Sequence, residues 1–155
     1  MINEIISNAR IGAARAGLEA ARNVGLFCGG WCPKGCNAED RKISDEYRLQ
    51  ETASADYSDH IEMNVKSSDG TVIFTVGKLT DSAALIIEFA KKHQKPILSI
   101  DLSRSVLKLL SDEISSWIGQ NNIQILNVAG SRESEDTKIY RTVYDILIVV
   151  FCKLS

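Results

Sequence analysis

The stretch Gly70-Thr71-Val72-Ile73-Phe74-Thr75-Val76 decides the fold. It is β-branched and almost continuously apolar, which is how a strand covered on both faces reads. The residues after it change period: from Ser82 to His93, Ala83, Ile86, Ile87 and Ala90 recur at helical spacing. The alternation continues outward in both directions. Pro96-Ile97-Leu98-Ser99-Ile100 is a strong strand, and Val106 to Ile118 is an amphipathic helix with Leu109, Leu110, Ile114, Trp117 and Ile118 facing inward. Ile123 to Val128 is another strong strand, and Ser134 to Leu154 is mostly helix. Upstream, Glu4-Ile5-Ile6 is a strand, and Ala13 to Asn23 is a helix rich in Ala, Leu, Glu and Arg that Gly25 stops. Strong strands separated by helices imply an α/β protein with a mostly parallel sheet of about five strands. Right-handed crossovers then place helices on both faces. The Thr71–Val76, Ile97–Ile100 and Ile123–Val128 strands are expected at or near the centre.

The chain has 155 residues, and 1–155 reads as one domain. Lys+Arg 18 against Asp+Glu 20 leaves a formal net charge of -2, which argues against a protein that grips nucleic acid by bulk charge. Aromatic residues are 6% of the chain, too few to suggest a stacking platform for single strands. The longest apolar run, Ile146 to Cys152, is far short of a membrane span, and Met1 to Ile6 carries no basic leader. The expectation is a cytoplasmic protein with neither nucleic-acid nor membrane partners. Its four cysteines are then reduced thiols.

Ligands of open parallel sheets bind outside the carboxyl ends of the strands. Three loops there are readable: Ser7-Asn8-Ala9-Arg10-Ile11-Gly12, Gly77-Lys78-Leu79-Thr80-Asp81-Ser82 and Ala129-Gly130-Ser131-Arg132. The first two lead into helices, whose free N–H groups suit a phosphate or other oxyanion. No Gly-x-Gly-x-x-Gly follows the first strand and no Gly-x-x-x-x-Gly-Lys-Ser/Thr occurs, so a standard dinucleotide fingerprint and a P-loop are both absent.

The most distinctive stretch is Gly29-Gly30-Trp31-Cys32-Pro33-Lys34-Gly35, continued by Ala38-Glu39-Asp40. Its glycines allow close backbone approach to a ligand, and Lys34 supplies a mobile cation. By residue type alone it reads equally well as a tight surface loop with Trp31 plugging the core. Together with Tyr47-x-Leu49-Gln50-Glu51-Thr52, Asn64-Val65-x-x-Ser68-Asp69-Gly70-Thr71-x-Ile73-Phe74 and Asn127-Val128-Ala129-Gly130, it closely resembles the putative molybdenum carrier family, a circularly permuted branch of the YpsA-like, LOG-like Rossmann proteins. The resemblance spans about residues 5 to 145. It implies a Rossmann-like three-layer α/β/α sandwich that binds a small anionic ligand, a nucleotide or the molybdenum (pterin) cofactor, at the strand ends. The residues it points to are Ser7, Gly12, Arg15, Gly29, Gly30, Lys34, Thr80, Ser82 and Gly130. The chain departs from the family at both phosphate turns. Asn8-Ala9-Arg10-Ile11 replaces a glycine-rich loop, and Thr80-Asp81-Ser82-Ala83 replaces a Gly-Gly-Thr turn, which puts a negative charge beside any anion. A LOG-like hydrolase of nucleotides is the alternative activity, and a Rossmann domain without ligand is the third; the paired Pro-Gly-Gly-x-Gly-Thr and Glu-Arg signatures of the hydrolases are missing.

Cys28, Cys32 and Cys36 recur at a regular interval, and His60 could complete a zinc site, but the paired Cys-x-x-Cys hooks of structural zinc are missing. Cys152 reads as core. His93, in Lys91-Lys92-His93-Gln94-Lys95, reads as a helix C-terminal cation. Asp40 and Asp101 lie at or near strand ends. Ile146 to Cys152 is apolar on every side, more than one packed face needs, so a homodimer or higher homo-oligomer through the C-terminal helix is expected.

Overall fold

The computed structural model describes residues 1–36, 43, 45–54, 56–104 and 106–154. In chain order the elements are β1 (Glu4–Ile6), α1 (Ala13–Asn23), β2 (Phe27–Gly29), β3 (Trp31–Cys32), β4 (Gln50–Glu51), α2 (Tyr57–Ser67), β5 (Gly70–Thr75), α3 (Asp81–Lys92), β6 (Ile97–Asp101), α4 (Leu107–Gln120), β7 (Ile125–Gly130) and α5 (Ile139–Leu154). Five strands form one sheet in the order β2-β1-β7-β5-β6, and every pairing in it is parallel. The short β3 and β4 make a separate parallel pair. No helix of the described residues is long and apolar enough to cross a membrane.

β5 explains why its sequence shows no polar alternation: all six of its residues are buried. Val72 and Phe74 enter one core with Leu18 of α1, Ile114 of α4 and Val143 and Phe151 of α5. Ile73, pointing the other way, enters a second core with Ile61 and Val65 of α2 and Ala83, Ile86 and Ala90 of α3. Thus α1, α4 and α5 cover one face and α2 and α3 the other, a Rossmann-like three-layer sandwich. The direction of the crossovers accounts for this. The β1-to-β2 connection moves one way along the sheet and the β5-to-β6 connection the other, so right-handed crossovers send α1 and α3 to opposite faces.

Several expectations need correction. β6 is an edge strand rather than a central one. Its apolar run reflects helices packed above and below, which a strand meets at an edge as well as inside, and Ser99 is exposed. β7 starts at Ile125, while Ile123 is buried in the preceding turn. β2, Phe27–Gly29, is only three residues long, and Cys28 is a strand residue within it, half-buried.

The C-terminal helix is also placed differently. α5 lies against α1 and α4, with Ile139, Val143, Ile146, Leu147, Val150 and Phe151 buried. Most of its apolar circumference is covered within the chain, while Val149 and Cys152 stay exposed on its outer side; the apolar run alone therefore does not call for a second copy. Cys152, expected in the core, is exposed.

Urea unfolding checks this placement. Phe151→Ala should cost about 3–5 kcal/mol, as for other fully buried aromatic truncations. Val149→Lys, at a position 36% exposed, should stay within about 1 kcal/mol of the parent. A large loss from Val149→Lys would contradict the packing of α5.

Candidate ligand-binding crevice at the strand ends

β7 ends between β1 and β5, and the helices that follow those two strands leave in opposite directions. Such a switch point opens a crevice above the carboxyl ends of the strands. Here its walls are Asn8, Arg10, Tyr57, Ser82, Ser131 and Arg132, its floor includes Ala129 and Gly130, and its volume is about 30 Å³. That is room for roughly two waters. An adjoining space of about 20 Å³ is bordered by Asn8, Asn64 and Asn127.

Each wall residue is held by local chemistry. Beyond β1 the Ser7 hydroxyl donates to the Ala14 carbonyl at 3.0 Å and accepts from the Ala9 amide at 3.0 Å. The Asn8 side chain accepts the Arg10 amide at 3.1 Å. These bonds fold residues 7–10 into a tight turn, with Ala9 at φ 58°, that aims Arg10 at the crevice. The Arg10 guanidinium lies 4.7 Å from the centre of the Tyr57 ring, and its buried Nε has no hydrogen-bond partner among the described residues. Tyr57 opens α2, which Asp56 caps by accepting the Ser58 amide at 3.0 Å. The Tyr57 hydroxyl lies 2.9 Å from the Ser82 hydroxyl and so ties α2 to α3. Ser82 sits in the first turn of α3, and Thr80 caps that helix by accepting the Ala83 amide at 3.1 Å. The positive end of the α3 dipole therefore faces the same space. Arg132 approaches from the loop after β7, with its amide donating to Glu135 at 3.0 Å and its Nε 3.4 Å from the same carboxylate.

The nine residues singled out from sequence all lie near the carboxyl ends of the strands or in the loops that follow, but only Ser82 and Gly130 border the crevice. Ser7 is fully buried as the hinge of its turn. Gly30, at φ 126°, brings its Cα against β1, where an added Cβ would stand 2.1 Å from the Ser7 carbonyl oxygen. Gly130, at φ 149°, would place a Cβ 2.1 Å from the Phe74 carbonyl oxygen. The space their missing side chains leave is filled by backbone, not by a ligand. Gly12 packs on the backbone of Ser131 and Arg132, and Gly29 lies beside Glu4. Arg15 turns away: its Nε donates to the Ala9 carbonyl at 3.0 Å and its guanidinium lies over Tyr47. Thr80 is the helix cap. Lys34 is exposed on the loop after β3. Asp40 lies outside the described residues, and Asp101 accepts from the Gly77 and Ser103 amides and the Ser103 hydroxyl. The sequence reading missed Asn8, Arg10, Tyr57, Ser131 and Arg132. Four of these stand in the strand-end loops it quoted, so attention to charged residues in those loops would have found the two arginines.

The cysteines depart from expectation as well. Cys32 and Cys36 are joined in a disulfide, with their Cα atoms 5.3 Å apart, inside the usual range of roughly 4.4–6.8 Å. The physical reason is a tight turn: the Cys36 amide donates to the Pro33 carbonyl at 2.8 Å, and Gly35 and Cys36 both take positive φ. Cys28 is half-buried on β2 with its sulfur 3.5 Å from the Leu18 carbonyl, and burial pushes its thiol up to about 11. His93 caps α3 and places Nε2 2.7 Å from the Glu62 carboxylate.

His60 is the unusual group of this region. It is fully buried on α2, edge-on to Tyr57 with ring centres 5.1 Å apart, and neither ring nitrogen has a hydrogen-bond partner among the described residues. Burial, with the Arg10 charge adding to it and Asp59 opposing, pushes its pKa from 6.5 down to about 4. The unfolded chain thus takes up a proton near pH 6.5 and the folded chain only near pH 4. His60 costs no ionisation free energy above about pH 6.5, and stability falls as the pH drops from 6.5 to 4, by roughly 3 kcal/mol from this group. His60→Leu should remove that slope and be no less stable at pH 7, because two unsatisfied polar atoms disappear. Urea titrations at pH 7, 5 and 4 check this: equal slopes for parent and variant would contradict it.

A protein-family model described as "Circularly permutated YpsA SLOG family" matches residues 5–151. Among solved structures, the chain is similar to the crystal structure of a "Putative molybdenum carrier protein" from Syntrophus aciditrophicus SB, at 42% identity, covering 96% of this chain and 94% of that one with a TM-score of 0.93. No curated protein matches. The parallel sheet, its switch-point crevice and these two likenesses agree, and the chain belongs to the circularly permutated YpsA SLOG family.

Proposed function

We propose that this protein binds, without transforming it, the anionic group of a nucleotide-like or pterin-cofactor ligand in the crevice above β7. The observation that carries the reading is the convergence of Arg10, Arg132 and the amino end of α3 on one small space at the switch point. Arg10 keeps a buried Nε donor without a partner, and an oxyanion oxygen would satisfy it with a charge-assisted bond. The similar Syntrophus protein bears the name "Putative molybdenum carrier protein", which fits a role in holding an anionic cofactor.

Binding is favoured over hydrolysis by the composition of the walls. Among the described residues that line the crevice there is no carboxylate and no histidine to serve as general base. Ser82, the obvious nucleophile type, faces the Tyr57 hydroxyl instead of a base. A space of about 30 Å³ holds no more than a small group, so in this reading the rest of a larger ligand extends across the mouth, which Tyr57 and Arg132 border. Asp81, exposed in the first turn of α3, weakens the site by like-charge repulsion.

A thermal-shift screen of the purified chain against inorganic phosphate, AMP and molybdate tests the reading, since a ligand bound only to the folded state raises the melting temperature with its saturation. At least one should raise it. Arg10→Ala should then weaken that ligand by about 1.5–3 kcal/mol, and Asp81→Asn should tighten it by a few tenths of a kcal/mol up to about 1. Unchanged affinity in Arg10→Ala would remove this crevice as the binding site.

A further inference from the structure

The Cys32–Cys36 bond is not placed as a structural staple. It closes a loop with a sequence separation of 4, so it removes less chain entropy from the unfolded state than a long-range bridge would. The backbone around it is held independently. β3 pairs with β4, the Thr52 amide donates to the Cys32 carbonyl at 2.9 Å, and the Lys34 amide donates to the Ser54 carbonyl at 3.3 Å. The Gly35 amide donates to the Glu51 carboxylate at 2.6 Å, and the Ile43 amide to the Cys36 carbonyl at 2.8 Å. These bonds keep the two Cα atoms adjacent whether or not the sulfurs are joined. The reduced form is also provided for, because Cys32 Sγ lies 3.4 Å from the Gln50 carbonyl, an acceptor for its thiol.

The two cysteines are both buried, but not equally. Cys32 is fully buried, whereas Cys36 is 8% exposed and follows the exposed Lys34 and Gly35. Lys34 lies in sequence between the two cysteines and is exposed, so it adds a positive charge to the loop that an incoming thiolate must approach.

We propose that Cys32 and Cys36 form a reversible redox centre whose reaction partner is a dithiol reductant, with Cys36 as the attacked sulfur. One thiolate of the reductant bonds to Cys36 Sγ, the Cys32–Cys36 bond breaks, and Cys32 departs as a thiolate that takes up a proton. The second thiolate of the reductant attacks its own sulfur in the mixed disulfide. The reductant leaves as a disulfide, and Cys36 departs as a thiolate and is protonated. Two electrons pass to the protein and the reductant is oxidised; the reverse sequence, with the oxidised partner, restores the bond.

The test equilibrates the full chain with mixtures of reduced and oxidised dithiothreitol, quenches with acid, alkylates in denaturant and counts thiols by mass. Of the four cysteines, two are free when the bond is present, so the count should pass reversibly from two to four in one two-electron transition. The far-UV circular dichroism should not change across it. Cys36→Ser should abolish the transition, and Cys152→Ser should leave it in place. Four thiols throughout would overturn the proposal. So would two thiols surviving excess dithiothreitol without denaturant, a transition that persists in Cys36→Ser, or loss of the folded signal on reduction.

Discussion

The functional end of this protein depends on how closely β7 is threaded between its neighbours. At Gly130 the chain passes so near β5 that a methyl group would stand 2.1 Å from the Phe74 carbonyl oxygen, and at Gly30 the same distance separates a methyl from the Ser7 carbonyl oxygen. These contacts draw the ends of β2, β1, β7 and β5 together before their loops diverge. Because α1 and α3 then leave toward opposite faces, the divergence opens directly over β7. The crevice is therefore a consequence of topology, and its chemistry is a matter of which side chains the diverging loops carry.

In the proposed binding role, those side chains stand in for a backbone device. A glycine-rich phosphate turn presents backbone amides to an anion; the residues here have side chains in both loops, and the amides of the first are partly spent on Ser7 and Asn8. Positive charge comes instead from Arg10 and Arg132. Arg10 rests on the Tyr57 ring, a cation–π contact at 4.7 Å, and Tyr57 is in turn fixed to Ser82. Tyr57 also packs edge-on against buried His60, whose two ring nitrogens have no hydrogen-bond partner among the described residues. A buried polar group without partners is a stability cost, and it stands one residue layer from the proposed binding space.

The sheet was legible because residues 70–93 declare their periods without ambiguity: an unbroken apolar strand, a loop, then a helix. α5 was legible as a helix but not in its packing, since Ile146 to Cys152 looks alike whether the outer faces meet α1 and α4 or a second chain. The glycines at 30 and 130 show a second limit: a missing side chain makes room equally for a ligand or for a neighbouring strand, and only the three-dimensional path reveals the backbone contact each makes. Arg15 misled in the same way, being a cation at the start of α1 whose reach goes to Ala9 and Tyr47. The disulfide was hidden because spacing alone does not reveal that Gly35 and Cys36 adopt positive φ and turn the chain back.

The central claim is that anion recognition occurs above β7 and not in the glycine-rich loop after β2. Backbone amide chemical shifts, followed while inorganic phosphate or AMP is titrated into the isotope-labelled full chain, test it most directly. The account predicts that the largest shifts fall on Asn8, Arg10, Ser82 and Ala129 to Arg132, with Lys34 and Gly35 little changed. Shifts centred on residues 30–36, with the amides around β7 unmoved, would contradict it.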